Sequence, residues 1–306
     1  MPLLIIIYGA LAIFIAGNLV RILRIATMPA HLRWELYPVP HEPPAKARYG
    51  GSYFEETDWW TRSMETSRFG EVRAVLQEVI LLKGVWKHNR QLWLWSWLFH
   101  AGLYLLILET VMVLSYAYAE HAGAAGVCRT LQPPLALVSW LGVLSGTAGS
   151  LGLLIRRTAG PKLRPFTSLW AYLNLLVILL MFGTGLLSLL VNPTAVNEMI
   201  LLAGGLLAFH AAPSLQGVMA AQVLLLALFL AYFPFTHMTH MYMKYFTYHV
   251  VRWDDAPYRS DTGIHASIAR SLSQRVSWAA PHIRGDGRKT WIEIAAEEGP
   301  VGAKKI

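Results

Sequence analysis

Long apolar runs alternate with short polar connections along this chain. Leu3 to Ile25 is the first run, Leu92 to Ala119 the second, Leu135 to Ile155 the third, Leu169 to Val191 the fourth, and Val218 to about Met241 the fifth. Each reaches the roughly 20 residues that a helix needs to cross a bilayer. The pattern predicts an all-α integral membrane protein with five transmembrane helices. Met199 to Phe209 is also apolar, but it is too short to span and Pro213 follows it, so it is read as interfacial or re-entrant. The first run lacks a charged leader and a small-residue cleavage site, and Arg21 and Arg24 close it. A signal peptide has the reverse polarity, so this run is read as a retained span.

The polar connections set the expected orientation. Arg33, Lys46, Arg48, Arg62, Arg68, Arg73, Lys83, Lys87 and Arg90 lie between the first and second runs, and Arg156, Arg157, Lys162 and Arg164 between the third and fourth. Lys244, Arg252 and Arg259 follow the fifth. The alternate connections are nearly bare, with Glu120 and Arg129 in one and Glu198 in the other. Lys and Arg stay on the cytoplasmic side. The N-terminus is therefore expected in the periplasm and the C-terminus in the cytoplasm, in the inner (cytoplasmic) membrane of a cell. The expected domains are a transmembrane helix over 1–25, a cytoplasmic loop over 26–91, a four-helix membrane core over 92–243 and a polar cytoplasmic tail over 244–306.

Within the first loop, Pro38 to Tyr49 is proline-rich and is read as irregular. Phe69 to Lys87 reads as an amphipathic cytoplasmic helix. Val72, Val75, Leu76, Val79, Ile80 and Leu82 follow a helical spacing, with Glu71, Arg73 and Glu78 mostly off that face. It would lie on the membrane and could also dock a cytoplasmic subunit. The tail from Val251 has weak periodicity and is read either as packing on a partner or as partly disordered.

Composition narrows the class. The chain has 306 residues, 55% hydrophobic and 14% charged, whereas a soluble domain carries about a quarter charged residues. The net charge of +8 sits mostly in the loops and speaks for topology rather than for nucleic acid. A single cysteine, Cys128, excludes an internal disulfide, a covalent haem motif and an iron–sulfur ligand set.

Histidine is left to hold any redox metal. His100 stands eight residues into the second run, roughly 12 Å deep at 1.5 Å per residue. His237 and His240 end the fifth run on the same side. Ionisable residues within a bilayer face the bundle interior and are functional by default. Two antiparallel helices offering one imidazole each can clamp a haem iron from both faces, which leaves no open position for oxygen and makes an electron carrier. The bland alternative has His100 hydrogen-bonding across helices while His237 and His240 snorkel to the interface. Glu109 is the one carboxylate deep within a span, nine residues beyond His100 and roughly 13 Å further along the helix. It is a candidate proton acceptor beside a quinol. Alternatively it pairs with a polar group such as Gln222, or it is hydrated near the outer interface. Tryptophans 59, 60, 86, 93, 95 and 97 fit an aromatic belt. Gly142, Gly146 and Gly149, with Gly183 and Gly185, fit close helix packing.

Phe233-Pro234-Phe235-Thr236-His237-Met238-Thr239-His240, together with Trp97-Leu98-Phe99-His100, resembles the membrane cytochrome b (gamma) subunit family of respiratory nitrate reductases. The likeness is greater to that family's relatives in sulfate-reducer and heterodisulfide-reductase-type membrane complexes, and it covers roughly Leu92 to His240. The resemblance implies that His100 and His240 ligate a haem b nearer the cytoplasm, with His237 as a neighbour of that haem or a substitute ligand. The family's second haem would need ligands ten residues after His100 and eighteen before His240, where Thr110 and Gln222 stand. One haem b is therefore expected, a second only if His121 or His210 has been recruited.

The function so implied is the quinone-reactive electron-transfer subunit of a respiratory oxidoreductase, inactive alone. It would pass electrons between membrane quinol, menaquinol by family, and a cytoplasmic iron–sulfur subunit in a hetero-oligomeric complex. The alternative is a haem-free membrane anchor for a soluble redox enzyme. A transporter is disfavoured by the single deep acid and the lack of paired broken helices.

Overall fold

A computed structural model describes residues 2–27, 42, 45, 57–58, 61, 65–210, 215–246, 263–280 and 283–297. Most of the proline-rich stretch from 38 to 49 lies outside these residues. So do Trp59, Trp60, Pro213, Arg33, Lys46, Arg48, Arg62, Arg252 and Arg259. The chain divides into two compact units, one made of Met1–Val20 and Val72–Thr239, the other of Arg21–Glu71 and His240–Ile306.

All five predicted runs become helices long and apolar enough to cross a membrane. Pro2–Ala26 forms α1. Arg68–Ile80 (α2) and Lys83–His88 (α3) lie in the first connection. Arg90–His121 forms α4 and Ala125–Ala159 forms α5. Leu169–Val191 is α6, with Ser168 capping its first turn. Ala195–Ala208 (α7) is the short apolar element, and Gly217–Tyr232 (α8) begins the fifth span.

Three boundaries differ from expectation. The single helix expected over Phe69 to Lys87 breaks into α2 and α3, where Leu82 takes a left-handed backbone conformation. Helix α5 starts ten residues before Leu135, where the third apolar run begins, and runs through Pro133 and Pro134. Leu135 is fully buried just beyond them, and membrane helices tolerate such prolines when neighbours re-satisfy the freed backbone groups. The fifth span ends earlier than Met241. Pro234 has no N–H to give, and its ring clashes with the carbonyl four residues back, so the α-helix ends at Tyr232. Two 3-10 turns follow, Phe233–Phe235 and His237–Thr239, separated by the extended Thr236. The Thr236 hydroxyl donates to the Phe233 carbonyl and accepts from the Met238 amide, which fixes the bend between them.

Helices α4 and α5 pack through small residues. A Cβ on Gly149 would collide with the backbone of Phe99, one on Gly102 with that of Gly146, and one on Gly146 with the Phe182 ring. A Cβ on Gly183 would meet nothing within 4 Å, so this glycine does not mark a close helix contact as the sequence suggested. Phe99, Leu153, Leu175, Ile178, Met181, Phe182, Phe229 and Met238 form one core cluster. At the opposite end of the bundle, α7 buries one face against the spans, while Leu201 and Leu207 are exposed. Ala195 and Leu202 pack on Leu4, Ile7, Met219 and Val223, while Ile200 and Ala203 pack on Val113, Ala117 and Leu135.

Helix α2 splits its apolar face. Val75 and Val79 are half-buried, whereas Phe69, Val72, Leu76 and Ile80 form an exposed stripe. The Val79 carbonyl accepts from Tyr104 Oη and the Leu81 carbonyl from Trp93 Nε1, each at 2.7 Å, which straps the α2–α3 turn to α4.

The second unit holds His240–Phe246 (α9), Gly263–Leu272 (α10), a two-residue hairpin of Ala279–Ala280 (β1) and Ile283–Arg284 (β2), and Trp291–Ala296 (α11). The segment over 263–297 is folded locally around the buried Val276. Asp286 Oδ1 accepts from the amides of Arg288 and Lys289, and Thr290 with Glu293 forms a reciprocal cap on α11.

Candidate functional site

His100 occupies the middle of the first unit, half-buried on α4 beside the Phe99 and Tyr104 rings. Its Nδ1 lies 2.7 Å from the carbonyl of Ser96, one turn back. A carbonyl oxygen only accepts, so Nδ1 carries the ring proton and the lone pair is on Nε2. This is the tautomer an imidazole needs to ligate a metal through Nε2, with the second nitrogen held by a backbone carbonyl.

His237 has the opposite arrangement. The Tyr232 hydroxyl donates to Asn174 Oδ1 at 2.7 Å, which turns the Asn174 amide nitrogen toward His237 Nδ1 at 2.9 Å. An amide nitrogen only donates, so Nδ1 accepts and Nε2 bears the proton. His237 is thus set as a donor at Nε2. Asn174 is buried, the one amide in the fourth apolar run, and Tyr232 closes α8. Neither residue stood out in the sequence, although a lone amide amid leucines is a signal for a buried polar contact.

His240 opens α9 in the second unit. His121 ends α4, and His210 is exposed with its Nδ1 on the Ala208 carbonyl.

Glu109 does not pair with Gln222. Ser139 Oγ on α5 lies 2.6 Å from Glu109 Oε1 and 3.0 Å from the Leu135 carbonyl, while Gln222 Oε1 accepts from the Thr184 hydroxyl. Ser139 is fully buried and has one proton for two neighbours. When Glu109 is ionised, Ser139 donates to it. When Glu109 is protonated, it can donate to Ser139, which then donates to Leu135. The pair can therefore take up or release a proton by rotating one hydroxyl.

Glu109, Thr110 and Gln222 line the same cavity, of about 220 Å3, together with Ser188 and mostly aliphatic side chains of α1, α4, α6, α7 and α8. The two positions where the resembled family would place a second haem's ligands thus face a shared space. Neither Thr110 nor Gln222 offers the imidazole that such a haem would require.

Comparison with family models, with curated proteins and with solved structures finds no match to this chain.

Proposed function

We propose that the chain is the membrane cytochrome b subunit of a respiratory oxidoreductase, with its basic end in the cytoplasm and its bare end outward. The observation that carries this reading is the orientation of His100, whose Nδ1–H is spent on Ser96 so that Nε2 is the ligating nitrogen. The pairing of His100 with His240 comes from the Phe-Pro-Phe-Thr-His-Met-Thr-His motif and its family resemblance, since His240 lies in the other unit. Haem b held by two imidazoles supplies one-electron transfer at an iron with no open position.

The protein's own residues do the rest. Ser96 fixes the His100 tautomer. His237, kept as an Nε2 donor by Asn174, is suited to hold a carboxylate such as a haem propionate. Oxidation of one quinol yields two electrons and two protons. The electrons leave for the iron–sulfur clusters of a cytoplasmic partner, and Glu109 takes one proton, the other passing to water. The exposed stripe of α2 lies on the membrane surface.

A dithionite-reduced minus oxidised spectrum of the purified protein, with haem quantified per chain, tests this. One haem b per chain is expected, with its absorbance lost in His100→Ala. A well-folded protein without haem, or a His100→Ala variant with an unchanged spectrum, would leave the membrane-anchor reading in its place.

A further inference from the structure

We propose that the cavity between α4, α6 and α8 binds the head group of a quinone, with Glu109 at one side and Ser188 and Gln222 at the other. The proposal rests on the quinone-reactive reading above and assigns it a place.

The polar groups on the cavity wall are few and come from separate helices. Thr110 spends its hydroxyl proton on the Leu106 carbonyl at 2.8 Å, so it is not the anchor. Gln222 gives its oxygen to Thr184, which leaves the amide nitrogen as a donor. Gly185 makes room for that amide, since a Cβ there would stand 3.1 Å from Gln222 Nε2. Ser188 is 3% exposed, and its hydroxyl has no hydrogen-bond partner among the described residues. Buried hydroxyls are nearly always paired, so an orphan one on a cavity wall points to a bound molecule with a polar atom.

The chemistry of these groups selects the ligand class. A quinone presents carbonyl oxygens that accept, and its reduced form presents hydroxyls that donate. A partner for both forms must reverse its own role. Ser188 can do so as a hydroxyl, and Glu109 can do so by gaining or losing a proton on one oxygen while Ser139 stays as donor to the other. A lipid ester, which only accepts, needs no such reversal.

The dimensions agree. A dry apolar cavity of about 150 Å3 takes a benzene ring, so 220 Å3 accommodates a larger substituted ring. Thr110 and Leu114, one turn apart on α4, line the cavity and are also exposed. The pocket therefore opens along α4, where an apolar tail can pass into lipid.

The test uses the full-length protein in detergent, with 2-methyl-1,4-naphthoquinone as probe and tryptophan quenching or equilibrium dialysis as readout. Saturable binding at one site per chain is expected. Ser188→Ala and Glu109→Gln should each weaken it about tenfold, the effect of losing one buried hydrogen bond, with the haem spectrum intact. If the corresponding naphthohydroquinone reduces the haem but both variants bind the probe like the parent, the cavity assignment is overturned and the quinone-reactive reading survives. If the parent neither binds the probe nor is reduced by the hydroquinone, both fall. A phospholipid that co-purifies at one per chain and is not displaced by the naphthoquinone also overturns the assignment.

Discussion

His100 donates its Nδ1–H to the carbonyl of Ser96 across 2.7 Å, whereas His237 accepts at Nδ1 from the amide of Asn174 across 2.9 Å. The two imidazoles thus present the same nitrogen, Nε2, in opposite roles, as an acceptor at His100 and as a donor at His237. On the proposed reading, His237 serves as a donor and His240 as the iron ligand. His237→Ala should keep a full complement of haem, while His240→Ala should lose it. Haem per chain by pyridine haemochrome decides between them, and the reverse result would hand the axial role to His237.

Asn174 joins Tyr232 on α8 to His237 beyond the proline bend. Asn174→Leu strands two polar groups at once and should cost on the order of 1–3 kcal/mol of stability. Adding Tyr232→Phe to Asn174→Leu should recover part of that loss, because the stranded hydroxyl is then gone. Thermal unfolding of the two single variants and the double variant in detergent measures this, and strict additivity would argue that the three groups are not coupled.

Gly149 and Gly183 look alike in the sequence, yet they differ in surroundings. The Phe99 backbone blocks a Cβ at Gly149, and backbone cannot step aside. Gly149→Ala should lower stability by roughly 1–3 kcal/mol through overpacking. Gly183→Ala meets open space and should be neutral or slightly stabilising, by at most about 1 kcal/mol of helix propensity. Circular dichroism melts of both variants provide the comparison, and equal losses would mean that the α4–α5 contact is looser than described.

Acid should loosen the tail. The amides of Lys289 and Arg288 hold the Asp286 carboxyl below its usual range, and the Thr290 amide and hydroxyl do the same for Glu293. A carboxyl depressed in the folded state adds stability above its unfolded value, about 4, and that stability is lost as pH falls through the folded value. Glu297 raises Lys289, whose contribution is present below the unfolded value of about 10.4 and disappears as pH rises past the folded one. Exchange protection at the Arg288, Lys289 and Glu293 amides, corrected for intrinsic rates, should therefore fall as pH drops below about 4. Protection unchanged down to pH 1.5 would mean that the carboxylates do not hold the turn.

The spans were legible because a bilayer demands length and apolarity, and both are properties of a sequence window. Leu169–Val191 matches the sequence reading to the residue. The ends were less legible, because Pro133-Pro134 and Pro234 look alike as breakers. Only burial of Leu135 on one side, and the turns of Thr236 on the other, decide which proline stops a helix. The tail's order was hidden for another reason. Its cap, Thr290 to Glu293, is a four-residue signal without a long apolar period around it. In the candidate site, His100 and Glu109 announced themselves as ionisable groups inside apolar runs. Ser139, Ser188 and Asn174 did not, because small polar residues are common in membrane helices and their partners lie some 30 to 63 positions away where they have one.

Pro234 is seated against Gly17 of the first span, where a side-chain carbon would collide with its ring, and the Phe14 ring lies tilted against that of Phe233 nearby. The first and fifth of the described spans therefore close on each other. The bend that positions His237 can therefore take its final place only once synthesis has passed residue 235, so its geometry depends on a span made more than 200 residues earlier.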